Sequence, residues 1–249
     1  MRPLIAGNWK MHGTSEALGQ ILLIAQGIAE EAPRCDVVVC PPFTLIARAA
    51  AAANGRVAIG AQDCHREPEG AFTGDISAEM LSDAGATAVI VGHSERRRCH
   101  GETDIDVAMK TQAAWRAGLF AIVCIGETGQ ERDAGLAAKV VARQLDASLP
   151  LGANPATTAI AYEPVWAIGS GRTPSAAEIA DIHALIRERL ADRLSDDGLH
   201  LRILYGGSVK PANAGPILRV PNVNGALVGG ASLKAQEFLT IIGAVPPSS

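Results

Sequence analysis

The stretch Ala161-Tyr162-Glu163-Pro164 closes an apolar run on a carboxylate. A carboxylate at the end of a buried strand can act as a general base if a donor stands ready for the charge that develops on the substrate. Two other apolar runs also end on polar groups: Gly92-His93-Ser94-Glu95-Arg96-Arg97, and Gly7-Asn8-Trp9-Lys10. Asn8 and Lys10 are two residues apart and can face the same side of a strand end. An imidazole at the start of a helix feels the positive end of the dipole, which disfavours its protonation. A neutral His93 could then donate a hydrogen bond to a carbonyl oxygen without first losing a proton. Base, neutral donor and cation together suit proton transfer next to a carbonyl. That chemistry calls for no redox cofactor, and for no metal if Lys10 and fixed dipoles carry the transient negative charge.

Each of these residues also has a plainer reading. Lys10 beside a turn Asn8 could be a solvated cation, although Trp9 between them points to a packed turn. Ser94 reads as a helix cap with Glu95 in the first turn, which is compatible with a functional His93. Glu163 could merely cap the next element. The next element, however, is Val165-Trp166-Ala167-Ile168-Gly169-Ser170-Gly171, an apolar, glycine-rich loop and not a helix. Its Val, Trp and Ile would be costly in water, so the segment 164–171, from Pro164 through Gly171, is predicted to be a lid over a ligand. Three glycine clusters, Gly169/Gly171, Gly206-Gly207-Ser208 and Gly229-Gly230, could bring backbone N–H groups close to an anion. Singly, each is weak, because a Gly-Gly turn is usually only a turn.

Elements that could position these residues recur along the chain. Apolar β-rich runs cover residues 4–7, 37–40, 57–60, 88–91, 120–125, 158–162, 201–205 and 226–228. Most are continuously apolar, as strands covered on both faces should be. Residues 15–31 read as a helix with Leu18, Ile21, Leu22, Ala25 and Ile28 on one face; residues 175–194 read as another, with Ile179, Ile182, Ile186 and Leu190. The βα unit repeats eight times, which predicts an α/β fold: a single (β/α)8 barrel domain over residues 1–249. A doubly wound open sheet is the competing topology, but no G-x-G-x-x-G follows the first strand. In a barrel the C-terminal strand ends carry the active site, and the polar groups above stand there.

Composition narrows the rest. The net charge of -4 gives no reason to expect nucleic acid or an anionic membrane as partner. Five cysteines (Cys35, Cys40, Cys64, Cys99 and Cys124) are odd in number and scattered, which argues against a disulfide framework or zinc site. Cys64 and Cys99 fall in loop-like segments, where a thiol is prone to oxidation if it is exposed, and exposure is not read from the sequence. The start of the sequence does not read as a signal peptide, and no apolar run is long enough to span a membrane. Reduced thiols in the cytoplasm are the expectation.

Seven stretches together closely resemble the triosephosphate isomerase family: GNWKMHG (7–13), GAFTGD (70–75), GHSERR (92–97), CIGET (124–128), AYEPVWAIGSG (161–171), YGGS (205–208) and LVGGASL (227–233). They run in the family's order over essentially the whole chain. The resemblance implies a TIM barrel that interconverts dihydroxyacetone phosphate and D-glyceraldehyde 3-phosphate without a cofactor. The reaction is reversible, so glycolysis and gluconeogenesis are both open. Residue by residue, the resemblance assigns Glu163 as the base, His93 as the neutral electrophile, Lys10 as the cation facing phosphate and enediolate, and Asn8 as a positioning amide. Gly169, Ser208, Gly229 and Gly230 match phosphate-binding backbone positions. Glu95 looks like the carboxylate that holds Lys10, and Cys124 matches a cysteine near the base whose plainer reading is a small core residue. The segment 64–79, from Cys64 to Glu79, resembles the family's long third loop. Its tip, with Thr73, would enter a second subunit and make a homodimer.

Departures from the family pattern are few. His12 stands where Asn is common, Asp75 replaces the more usual Glu, and Arg172-Thr173-Pro174 replaces a Lys-Thr-Ala type hinge. An Asp75–Arg96 pair across subunits would reach one methylene less far, with little energetic effect. Pro174 should narrow the hinge's range, since proline fixes φ. Two other readings remain: a different phosphate-binding barrel, such as a sugar-phosphate epimerase, and a non-catalytic scaffold on a retired barrel. The first wants metal ligands at several strand ends if metal-dependent; the second predicts loss of Lys10, His93 or Glu163.

Overall fold

Alternation along eight short strands sorts the apolar side chains into two buried layers. The strands are β1 (Leu4–Asn8), β2 (Asp36–Cys40), β3 (Ala58–Ala61), β4 (Ala88–Val91), β5 (Phe120–Ile125), β6 (Thr158–Tyr162), β7 (Arg202–Tyr205) and β8 (Gly225–Val228). This computed structural model describes residues 1–168 and 172–247. One layer holds Leu4, Ala6, Ile122, Cys124, Ala159, Ala161 and Leu227, which fill the interior between the strands. Their odd-numbered or even-numbered neighbours (Ile5, Val89, Val123, Ile160 and Ile203) face outward and pack with helix residues such as Ile21, Ile179 and Ile186. Both faces are covered, which is why the strands are apolar throughout.

All neighbouring strands pair in parallel, in chain order, and the sheet closes where β8 meets β1 with Ala6 opposite Leu227. The structure is thus a closed eight-stranded parallel barrel ringed by helices, and the open-sheet alternative is excluded. The layering places the next inward positions at the C-terminal mouth. After Leu4 and Ala6 comes Asn8, after Ala159 and Ala161 comes Glu163, and after Leu227 comes Gly229. Burial of Asn8 and Glu163 follows from this pleat.

The helices start where local chemistry stops the strands. Ser175 caps the helix Ala176–Leu194 in a reciprocal box with Glu178, and Ile179, Ile182, Ile186 and Leu190 are buried beneath it. In the first helix, Leu18–Glu31, the buried stripe is Ile21, Ile24 and Ala25; Leu22, expected to face the core, is exposed. The stripe drifts because Ile24 and Ile28 complete the inward face and leave no room for Leu22. Cys64, in a loop-like segment of the sequence, is inside: it packs beside Lys110, and burial pushes its thiol up to about 12. Cys99 is exposed. Among the described residues no helix is long and apolar enough to cross a membrane.

Candidate active site

A cavity of about 270 Å³ opens at the barrel mouth, and Asn8, Lys10, His93 and Glu163 all line it. Ser208, Gly229 and Gly230 line it as well, with Gly229 beside Lys10. Gly169 lies outside the described residues. His12 borders the same cavity and is exposed.

The strand pleat accounts for Asn8 and Glu163 but not for the other two. Lys10 has φ 54°, the left-handed region where a side chain with a Cβ is strained. Two contacts hold it there. The Lys10 N–H donates to Asn8 Oδ1 at 3.0 Å, and Gln62 Nε2 donates to the Lys10 carbonyl at 2.9 Å. Lys10 Nζ then lies 2.5 Å from Glu95 Oε1. His93 follows Gly92, whose φ of 68° re-aims the chain; a Cβ there would meet Val107 at 2.7 Å. That turn brings His93 over the barrel when the parity of β4 would point it outward.

Glu163 is 1% exposed, yet its carboxylate is well supplied with donors. Its Oε2 accepts the Ser94 N–H at 2.9 Å, and its Oε1 accepts Ser94 Oγ at 3.2 Å and lies 2.9 Å from His93 Nε2. The N-cap of the helix Ser94–His100 is therefore His93, not Ser94 as the sequence suggested. The Glu95 N–H donates to His93 Nδ1 at 3.2 Å, so the ring itself satisfies the helix start. Ser94 is displaced from that role because its hydroxyl turns to Glu163. With Nδ1 accepting, the ring proton belongs on Nε2, pointing at the carboxylate.

The two groups perturb each other. Burial would raise the Glu163 pKa, but His93 and the two Ser94 bonds outweigh it and hold the carboxyl below its ordinary value. Burial works against a charged His93, yet contact with Glu163 lifts its pKa above the ordinary value. When the carboxylate moves off, burial and the Lys10 charge remain and both favour the neutral ring, with only Glu95 opposing.

Close backbone approach makes room for the carboxylate. A Cβ on Gly126 would lie 1.7 Å from the Glu163 carbonyl oxygen, and one on Gly206 would lie 2.9 Å from Glu163 Cγ. Behind the base, the fully buried Glu127 accepts Tyr162 Oη at 3.1 Å and Trp166 Nε1 at 2.8 Å. Trp166 sits in a short 3-10 turn, Val165–Ala167, which ties the start of the segment 164–171 to β5. The Arg132 and Arg172 guanidinium groups lie 4.4 and 5.1 Å from its ring.

Three contributors escaped sequence reasoning. Gln62 directly follows β3, and its place at a strand end was the available signal. Glu127 stood inside a matched stretch without a role, because nothing local shows that it reaches Trp166, 39 residues on. Arg97 donates to the Gly92 and Cys124 carbonyls and pairs with Asp104, locking the His93 loop to β5. Two other expectations need placing. Cys124 is a barrel-interior residue whose thiol is pushed well up by burial, first of all, and by Glu163. Arg96 is held within its own chain by Asp63 at 2.9 Å and by Glu102, while Asp75 lies 3.7 Å from His65.

Comparison with known proteins agrees with this layout. The family model described as triosephosphate isomerase matches residues 3–245. A triosephosphate isomerase from Afipia carboxidovorans is 62% identical over 247 residues, covering 99% of this chain and 98% of that one. One from Xanthobacter flavus is 57% identical over 245 residues, covering 98% of each. The crystal structure of triosephosphate isomerase from Bartonella henselae superposes with a TM-score of 0.92 at 49% identity, covering 98% of this chain and 99% of the other.

Proposed function

The chain belongs to the triosephosphate isomerase family and interconverts dihydroxyacetone phosphate and D-glyceraldehyde 3-phosphate, and on that premise we propose how its residues divide the work. Glu163 takes a proton from the carbon beside the carbonyl, and His93 Nε2–H donates to the carbonyl oxygen. The electrons of the broken C–H bond form the enediolate, whose charge Lys10 offsets, with Asn8 holding the Lys10 turn. Glu163 returns the proton to the neighbouring carbon, and the hydroxyl proton passes between the two oxygens beside His93. The reaction is redox-neutral and moves protons within one molecule, so it needs no cofactor.

Ser208, Gly229 and Gly230, with Gly169, hold the phosphate, and the segment 164–171 closes over it as a lid that excludes water. Glu95 orients Lys10; Cys124 packs beneath the base. The observation that carries this reading is the convergence of Glu163, His93 and Lys10 on one cavity, with His93 Nε2 2.9 Å from the carboxylate. Because Ser94 holds the carboxylate at the cavity wall, the base has to pivot inward when substrate arrives.

The same proposal extends to assembly and place: one barrel domain, acting in the cytoplasm as a homodimer joined through residues 64–79. Support comes from exposed apolar side chains, Phe72 within that loop at 41% and Met11 after β1 at 94%. Sedimentation at the mass of one chain would refute the dimer. For the chemistry, the test is isomerisation of D-glyceraldehyde 3-phosphate by the purified chain with Glu163→Asp and Lys10→Ala. Both variants should lose most of their kcat/KM, and wild-type turnover by Glu163→Asp would reject Glu163 as the base.

A further inference from the structure

Glu163 is a partition between two cavities. One is the substrate cavity. The other, about 250 Å³, lies behind it between the ends of β4, β5 and β6, where Ser94, Ile125, Gly126, Glu163 and Val165 form its walls. Its polar groups are mostly engaged already. Ser94 gives its N–H and Oγ to Glu163, Arg97 is bound to Asp104 and two carbonyls, and the Gln144 oxygen accepts the Gly126 N–H at 2.7 Å. What remains for a ligand is carbon surface, chiefly Ile125 and Val165. Arg98 borders the cavity too; it is exposed and makes no hydrogen bond or ion pair among the described residues.

We propose that this cavity is a second binding site, for a compact aryl or branched-alkyl carboxylate, and that its occupant holds Glu163 in the retracted position. An apolar cavity of about 150 Å³ suffices for a benzene ring, so a substituted ring fits this volume. The carboxylate faces Arg98, the one cation among the described residues of the cavity wall for which they hold no partner. Among the described residues no glycine-rich turn like Gly229-Gly230 lines it, so they offer a phosphate no comparable cradle there.

The coupling follows from the shared wall. Glu163 must leave Ser94 to reach the substrate, and a ligand packed against Glu163, Ser94 and Val165 makes its contacts with the retracted arrangement. Differential affinity of that kind shifts the equilibrium toward retraction, and substrate in turn weakens the ligand. The inhibitory consequence rests on Glu163 as the base; the binding does not.

Benzoate is the probe. It should bind the full chain in the millimolar range, as suits a ligand of so few atoms. Saturation-transfer NMR should show this binding unchanged when inorganic phosphate fills the substrate cavity. Saturating benzoate should inhibit in a mixed pattern, lowering kcat about fivefold or more and also raising KM for D-glyceraldehyde 3-phosphate, because benzoate and substrate weaken each other. Arg98→Gln should keep its activity without benzoate and bind benzoate about three- to fivefold more weakly. Displacement by phosphate, purely competitive inhibition, an unchanged affinity in Arg98→Gln, or binding that leaves kcat untouched would each overturn the proposal. Failure of Glu163 as the base is read separately, from Glu163→Asp in the absence of benzoate.

Discussion

Gln62→Leu isolates how Lys10 is aimed. Lys10 sits at φ 54°, and a left-handed residue with a Cβ costs about 1–2 kcal/mol. Two hydrogen bonds offset that cost: the Lys10 N–H to Asn8 Oδ1 and Gln62 Nε2 to the Lys10 carbonyl, at 3.0 and 2.9 Å. Each contributes about 1 kcal/mol net. The same Gln62 nitrogen also donates to the Cys40 carbonyl at 2.9 Å, so it ties the turn to the end of β2. Leucine is close to glutamine in size and carries no donor. The remaining bond, worth about 1 kcal/mol, no longer covers a strain of about 1–2 kcal/mol, and the turn relaxes toward other conformers. With Lys10 correctly placed in a minority of molecules, kcat/KM should fall about tenfold, the equivalent of about 1.4 kcal/mol. Two carbonyls lose a donor, so stability should fall by about 2 kcal/mol and Tm by about 4–8 °C. Steady-state kinetics and thermal unfolding of the same preparation measure both. A variant whose Tm drops while kcat/KM stays within about twofold of the parent would refute the reasoning, since Lys10 would then be aimed without Gln62.

The other predictions concern charge and hinge. Lys110→Met leaves Asp63 and Glu102 with Arg96 alone, because Lys110 bridges both carboxylates. The loss should destabilise the fold by about 3 kcal/mol at neutral pH. Despite burial, Lys110 and Arg96 lower the folded Glu102 pKa, so its stabilisation is present above the ordinary carboxylate value of 4.5 and fades as pH falls through the folded value. The gap between parent and variant in urea unfolding should therefore narrow only below pH 4.5; an equal gap there would count against the bridge. His93 must be neutral to donate from Nε2, and contact with Glu163 lifts its pKa above the ordinary 6.5 while that of Glu163 is lowered, so the acid limb of kcat/KM should follow His93 and lie above 6.5. Ser94→Ala removes one of the bonds that lower the Glu163 pKa, so that carboxylate should titrate at higher pH in NMR of the free chain, and an unmoved titration would contradict the assignment. Pro174 is buried just ahead of the Ser175 cap, and proline pins φ near −65° where the proposed lid would hinge. Pro174→Ala should change the lid's opening rate in NMR relaxation experiments, and identical rates would dismiss the hinge role.

Much of the barrel was legible because its signals are local. Continuous apolar runs mark strands covered on both faces, and all eight observed strands lie within a residue or so of the predicted runs. The capping box at Ser175 and Glu178 needs only a three-residue spacing. Parity carries further than expected: Asn8, Glu163 and Gly229 are the next inward steps beyond Ala6, Ala161 and Leu227, so a strand-end reading places them at the mouth. It fails at Lys10 and His93. There a strained φ and a glycine turn, not the pleat, aim the side chains.

The sequence alone therefore determines the barrel, the strand ends and the kinds of group that stand on them, because period, burial and capping act over a few residues. Only the tertiary structure decides how those groups are held. Glu163 rests on Ser94, 69 residues away; Gln62 holds Lys10 from 52 residues away; Arg97 locks Gly92 to Cys124. The retracted carboxylate and the apolar cavity behind it exist because backbones from separate βα units meet at Gly126 and Gly206. Such contacts are set by closure of the whole barrel, and no local pattern encodes them.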